Sequence, residues 1–379
     1  MAFPIDQKHL SGLMDVESIE QQLSTLWGES TRNKSDEEQT ALLRARVANV
    51  IVFVSVDRLD ETHETLSDLS AAHPCRGLVV VADNDGPDKD IQVSIAAFCK
   101  TGPQAKNRRL CCEEIVLNAS GRFVPELASA TLPLLVSDLP VFLWWPNNIH
   151  HHEQLFAELC SGADRLIIDS LNFSPAELAN VVLIAHDTRF RRVGISDINW
   201  ARLTWWRSLL ANFYDVLCYR EALENIDQVQ IEYVQAIRED EIATQPLLIL
   251  GWLASRLNWT FDLSSLERKA DGLSIRAKGK DNELQISLAR LQKSDIERGR
   301  LTRVELRSSA HGSSFTVKRS ASGLHIEMEA LYGENVQPGH VLPVRNRSDA
   351  QLVGREMEIL TNDDLYSESI AKAMMLFQS

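Results

Sequence analysis

Three groupings in this 379-residue chain carry side chains with the chemistry to act on something else. The run His150–His151–His152 is the metal suspect, because neutral imidazoles are common ligands of transition metals. Successive residues fan out by about 100° on a helix and alternate on a strand, so at most two of the three can share one ion. No cysteine or aspartate is spaced to complete a site, so the run reads as a solvated helix start with Glu153, and no metal is expected.

The second grouping is "DINWARLTWWRSLLANFYDV", from Asp197. On a 3.6-residue wheel Ile198, Trp205, Trp206, Leu209, Phe213 and Val216 share one broad apolar arc, and Arg202 falls inside it. A guanidinium aimed at an apolar face needs a carboxylate, a phosphate or an indole face, because unpaired burial costs several kcal/mol. An internal arginine–carboxylate pair stacked on tryptophan satisfies that need. The alternative is that Arg202, with Arg207, meets an anionic ligand or a partner. The third grouping is "DLPVFLWW", where Trp144 and Trp145 end an apolar run. Pro140 can begin a strand but not occupy its middle, so Val141–Trp145 is a short strand ended by Pro146. Core packing is the plain reading of both rings. Because one side chain faces each way on a strand, the second ring is alternatively a rim or interface anchor.

Common cofactor and nucleophile signatures are missing. No GxGxxG follows a strand, and neither GxxxxGK[ST] nor GxSxG occurs, so no nucleotide cradle, nucleophile elbow, cofactor or catalytic residue is expected. With 39 basic against 53 acidic residues the formal charge is −14. That balance argues against sequence-independent binding to nucleic acid, which needs a basic surface. No signal-like leader and no apolar run of membrane-spanning length are present, so a cytoplasmic protein off the membrane is expected. Six cysteines lie scattered without a CxxC pair, which fits reduced thiols. The vicinal pair Cys111–Cys112 would point to opposite faces of a strand, an awkward geometry for a disulfide.

The elements that would carry these residues alternate in type. Residues 1–45 read as a helical, amphipathic segment, with Ser35 and Glu38 at capping-box spacing. "VIVFVSV" and "LVVVAD" are strands buried on both faces. "DIQVSIAAF" and "RRLCCEEIVLNAS" read as antiparallel partners joined at Thr101–Gly102–Pro103, and "ADRLIID" supplies a further strand. At "SPAEL", Ser174 is an N-cap, Pro175 the first helical residue and Glu177 the capping-box partner. "QPLLILGWLASRLNW" is a scaffold helix, with Gly251 and Ser255 leaving room for a close neighbour. After about residue 270 polar and apolar residues alternate between turns, the pattern of an antiparallel sheet with one wet face. The fold expected is α/β (α+β): a helical segment 1–45, a mixed-sheet α/β domain 46–168, and a domain 169–379 with helices and an antiparallel sheet.

Six blocks in this order, "RARVANVIVFV", "HPCRGLVVVAD", "LPLLVSDLPVFLWWP", "ADRLIIDSLNF", "DINWARLTWWRSLLANF" and "LGWLASRLNW", resemble the glucose-6-phosphate dehydrogenase assembly protein family (OpcA) over about residues 40–260. The resemblance implies a non-catalytic protein that binds glucose-6-phosphate dehydrogenase, promotes its active oligomer and raises its activity. No catalytic residue carries over. His73, Arg76, Trp144, Trp145, Asp197, Asn199, Arg202 and Arg207 lie within the blocks and are the candidate partner-binding residues. The family is tied in photosynthetic bacteria to redox control, and with no cysteine after Cys218 that control cannot use C-terminal thiols here. The dehydrogenase's own RIDHYLGK-type catalytic stretch is absent. From the residues alone, a sugar-phosphate-binding enzyme with arginine clamps and a tryptophan platform is the competing reading.

Overall fold

A computed structural model of the chain describes residues 4–10, 15–32, 42–44, 46–55, 58–101, 109–147, 149–186, 193–236, 241–269, 271–292, 295–320, 322–337, 339–344, 347–359 and 363–376. The chain divides into a first unit, residues 1–168, 181–198 and 347–361, and a second, residues 169–180, 199–346 and 362–379. The Ser35–Glu38 spacing and the Gly102–Pro103 turn lie outside the described residues.

The first unit begins with β1 (Pro4–Leu10), α1 (Val16–Arg32), β2 (Leu42–Arg44), β3 (Ala48–Val54), α2 (Leu59–Ala72), β4 (Cys75–Asp83), β5 (Lys89–Thr101) and β6 (Arg109–Ser120). It continues with α3 (Leu127–Thr131), β7 (Val141–Trp145), α4 (Glu153–Ser161) and β8 (Arg165–Ile168), and after α5 (Pro175–Ala185) with β9 (Gly194–Asp197). Among the described residues of 1–45 only α1 is helical; strands flank it because β1 finds a partner in β5 and β2 in β6. Every residue of β3 and of β7 is buried, the pattern of strands covered on both faces.

The sheet order is β1-β5-β6-β4-β3-β7-β8-β9. From β6 to β9 all neighbours are parallel, whereas β5 adds to β6 in antiparallel fashion. Counting only the six parallel strands in chain order, the arrangement is third, second, first, fourth, fifth, sixth, the doubly wound order whose switch point falls between the first and fourth. That point is the β3–β7 junction. On α2, His63 faces the buried Glu114 of β6. The hydrogen bond to Glu114 raises the His63 pKa above its ordinary 6.5, against the desolvation that lowers it, with the Glu114 and Asp60 charges adding.

The second unit takes the chain through α6 (Ile198–Arg202), α7 (Thr204–Tyr214), α8 (Arg220–Glu224), β10 (Gln228–Val234), α9 (Thr244–Arg256) and β11 (Thr260–Lys269). The sheet is completed by β12 (Gly272–Lys278), β13 (Glu283–Leu291), β14 (Leu301–Ser308), β15 (Ser313–Arg319), β16 (His325–Tyr332), β17 (Asn335–Gln337) and β18 (Val341–Pro343). After these come α10 (Asp349–Met357), in the first unit, and α11 (Asp364–Met374), in the second. The sheet order is β11-β12-β13-β10-β14-β15-β16-β17, with β18 on β16. It is antiparallel except for the parallel pair β10–β13, so it is mixed where alternation alone suggested a purely antiparallel sheet. One face carries fully buried Ile231, Ile286, Val304, Phe315 and Val317 and receives α7 through Phe213, whose ring centroid is 5.3 Å from that of Phe315.

Local signals act where they were read. Ser174 Oγ accepts from the Glu177 amide at 3.1 Å and Glu177 returns to the Ser174 amide at 2.7 Å, starting α5. Along α9, Gly251 lies against the Ser369 carbonyl of α11, and an added Cβ would sit inside van der Waals contact with that backbone.

Two stability predictions follow from these contacts. Gly251→Leu forces α9 and α11 apart and should cost about 3 kcal/mol, read as a lower urea midpoint with an unchanged slope. For His63, a raised folded-state pKa contributes stability below the unfolded-state value, and that contribution fades as pH rises through the folded pKa. His63→Gln should therefore be less stable than wild type near about pH 6, the gap narrowing by about pH 8.5. Urea midpoints at the two pH values check this, and a pH-independent gap would count against the ion pair.

Candidate functional site

Of the candidate residues, His73, Arg76, Trp144, Trp145 and Asp197 fall in the first unit and Asn199, Arg202 and Arg207 in the second. In the second unit the family block does not run as one helix. A break at Leu203 separates α6 from α7, and the wheel drawn from Asp197 is rephased. Asp197 ends β9 rather than starting a helix, and Trp205, 38% exposed, lies outside the core, whereas Trp206 is buried.

Polar groups of α6, before the break, are satisfied by partners distant in sequence. Asn199 is fully buried and donates to Ser170 Oγ at 3.1 Å and Thr244 Oγ1 at 3.0 Å, while accepting from Gln245 Nε2 at 2.8 Å. Gln245 in turn accepts the Leu301 amide at 2.9 Å. Arg202 donates to Asp169 Oδ1 at 2.6 Å, the internal carboxylate pair that an arginine on an apolar arc requires. The indole stacking falls to Arg207 instead, whose guanidinium carbon lies 3.3 Å from the Trp200 ring centroid. The Trp200 indole N–H is held by Asp363 Oδ2 at 2.9 Å.

In the first unit the tandem tryptophans are both interior, Trp145 at 0% and Trp144 at 4% exposed. Trp145 stacks on Phe53 with centroids 3.8 Å apart and meets Phe156 edge-on at 5.0 Å. Arg76 is buried, donating to Glu113 at 2.8 and 3.0 Å, to the Leu134 carbonyl at 2.8 Å and to Glu20 at 3.1 Å. His73 follows the end of α2, half-buried and 3.8 Å from Glu358. Asp197 is buried. His150 and His151 are exposed, and His152 is half-buried beside the Phe53 ring at 4.8 Å, its pKa lowered by desolvation and then by the His151 charge. No group of three or more potential metal ligands occurs among the described residues. Cys112 is buried and its sulfur accepts from the Cys75 amide at 3.3 Å.

The doubly wound order raises the question of a dinucleotide at the β3–β7 switch point. The described residues there do not fit one. The segment Ser55–Arg58 between β3 and α2 has no glycine, so the close backbone approach to a pyrophosphate is lost. The first turn of α2 carries Asp60 and Glu61, which repel an anion at the helix end that would otherwise attract it. Glu61 holds Arg58 Nε at 3.0 Å. The crevice lined by Arg58, Glu61, Thr62, Trp144, Asn147 and Asp349 has a volume of about 10 Å³, the space of a single water. Asp83, at the end of β4, occupies the place of a ribose-binding acid, but it accepts from the Asp85 amide at 3.2 Å.

No described helix is long and apolar enough to cross a membrane. Three-dimensional likeness is modest: a putative oxidoreductase, yvaA, from Bacillus subtilis superposes with a TM-score of 0.48 and 8% identity over 87% of this chain and 95% of that one. The 3-ketoreductase KijD10 from Actinomadura kijaniata, in its open conformation, gives 0.48 and 10% over 87% and 96%. Sequence relatives are named "Putative OxPP cycle protein OpcA". The protein from Synechocystis sp. is 28% identical over 82% of this chain and 65% of its own length. That from Nostoc punctiforme is 33% identical over 51% and 40%, and that from Synechococcus elongatus 26% over 92% and 78%. The chain thus spans less than two thirds of the Synechocystis and Nostoc relatives. Family models for the N-terminal domain and the C-terminal domain of the glucose-6-phosphate dehydrogenase subunit match residues 66–182 and 193–370, carrying the likeness through the sheet after residue 260, where the blocks had stopped. The chain belongs to the OpcA family of glucose-6-phosphate dehydrogenase subunits.

Proposed function

We propose that this chain is a non-catalytic partner of glucose-6-phosphate dehydrogenase that binds the enzyme, promotes its active oligomer and activates it in the oxidative pentose phosphate pathway. The observation that carries the reading is the match of both subunit domain models, in order, along residues 66–182 and 193–370. The crevice at the switch point supports the non-catalytic part, because it has neither the volume nor the glycine turn for a dinucleotide. The pairing of Arg202 with Asp169 weighs against the competing sugar-phosphate enzyme, which would need that guanidinium as a clamp. Activation works by binding the more active state of the enzyme better than the less active one, and about 1–3 kcal/mol of differential affinity gives a several-fold effect or more.

Docking through the family block is assigned to its exposed aromatic, Trp205, rather than to the interior pair. Tryptophan at a rim is a favoured anchor, and 38% of Trp205 is open. Arg202 and Asn199 act by holding α6 in place.

The direct assay follows NADPH production by the dehydrogenase of the same organism while glucose 6-phosphate is varied. Adding this chain should lower the apparent KM or raise turnover, with co-elution on a sizing column. Trp205→Ala should remove most of that gain while leaving the melting temperature within a degree or two of wild type. Trp145→Ala should instead cost about 3–5 kcal/mol of stability. No co-elution and no kinetic change would overturn the reading. Calorimetry on the chain alone separates the alternatives: neither NADPH nor glucose 6-phosphate should release heat on titration, and saturable binding of either would favour an enzyme.

A further inference from the structure

The second face of the sheet in the second unit is polar across six strands. Register places Gln228, Gln230 and Glu232 of β10 beside Arg307, Glu305 and Arg303 of β14. The same rows continue through Lys318 of β15 to Glu327 of β16, and through Gln285 of β13 to Arg276 of β12. Most of these side chains are half-exposed or exposed. They are also ordered by one another. Glu305 is only 3% exposed and is gripped by Arg303 and Arg307, each at 2.8 Å, and Arg303 also lies 3.7 Å from Glu232. A depression of about 180 Å³ opens between Gln228, Gln230, Gln285, Ser287 and Arg307.

The charge on this face differs from that of the chain. The whole sequence carries −14, yet from β12 to β16 the face holds five basic and five acidic residues, Lys278, Glu283 and Glu329 completing the set; the edge strand β11, bulged between Asp262 and Glu267, lies outside this count. The balance is also antisymmetric. The β12–β13 side has one basic residue in excess, the β15–β16 side one acidic residue in excess, and β10 with β14 is neutral. A two-fold axis parallel to the strands, passing between β10 and β14, would set the β12 side of one copy over the β16 side of the other, twice. Six strands of about 4.8 Å spacing and seven residues of about 3.3 Å rise span about 650 Å² per copy. Two such faces bury about 1,300 Å², within the range of specific dimers.

We propose that this polar sheet face is the self-association surface of the chain, and that its occupant is the same face of a second copy. Elsewhere two chains of −14 repel each other; here a neutral and self-complementary patch lets them approach. The rows of preformed ion pairs keep the side chains ordered before contact, which lowers the entropy that association costs.

Sedimentation velocity of the full chain at low salt, over a range of concentrations, tests this with two edge variants. Glu327→Lys with Glu329→Lys makes the β16 edge basic, and Arg276→Glu with Lys278→Glu makes the β12 edge acidic. All four positions lie away from the core, so both variants should melt close to wild type. Wild type should shift from one chain to two as concentration rises, and each variant alone should associate at least about 10-fold more weakly, the like-charge penalty of interfaces. An equimolar mixture of the two variants should recover the wild-type dimer, a result that misfolding cannot produce. A wild type that stays a single chain throughout, variants that dimerise unaided, or a mixture that fails to recover would each overturn the proposal. Variants that self-associate normally but no longer bind glucose-6-phosphate dehydrogenase would also overturn it, and would give the face to the enzyme.

Discussion

A guanidinium buried in the middle of a parallel sheet sets the constraint on which the first unit depends. Arg76 is 1% exposed on β4, where an unpaired charge would cost several kcal/mol, a large share of the margin by which a domain is stable. It is tolerated because several groups converge on it from separate parts of the chain. Glu113 comes from the adjoining strand β6, Glu20 from α1, and the Leu134 carbonyl from the turn that leads toward β7. Arg46 reaches the same Glu113 at 3.4 Å. Each must arrive in register for the others to be satisfied, so the ion cluster orders the helix, the sheet and the entry to β7 together. Arg76, within a family block, thus does its work inside the fold.

The second unit solves a comparable problem with neutral groups. Asn199 has no exposed surface and makes three bonds, to Ser170, Thr244 and Gln245. Through Gln245 the network ends on the backbone of β14. A buried amide satisfied on both its oxygen and its nitrogen specifies one arrangement of its neighbours, since any slip strands a donor or an acceptor. That fixes α6 against the turn at Ser170, and with it the direction in which α7 leaves. The rephasing at Leu203 then turns Trp206 inward and Trp205 outward.

Much of the architecture was legible where the signal was local. The run Val141–Trp145 between two prolines is a strand because proline limits it at both ends, and Ser174-Pro175-Ala176-Glu177 caps a helix because each donor there has a partner within reach. What the sequence left hidden depends on pairing. Gly194–Asp197 is four residues long and gains its strand character from lying parallel to β8; followed by "INWAR", it looks like a helix start. The β10–β13 pair is parallel, a relation that alternation along either strand cannot reveal. Among the candidate residues, burial of Trp144 and Trp145 was readable from the apolar run. The partner of Arg202 was not, because Asp169 lies 33 residues away in sequence. Nor was the exposure of Trp205, since it rests on a one-residue break that no glycine or proline announces.

The β3–β7 junction shows how a topology can outlast the chemistry usually built on it. Strand order alone would place a cofactor at this crevice, but order is set by strand pairing and hydrophobic burial, neither of which requires a ligand. Ligand binding there needs a further layer: glycines for backbone approach, a helix end free of negative charge, and open volume. In this chain Asp60 and Glu61 stand at the helix end, Trp144 and Asp349 line the space, and about 10 Å³ is left. The layer that binds is thus separable from the layer that folds. Among the described residues at the switch point, strand order is kept while the groups that would hold a dinucleotide are not.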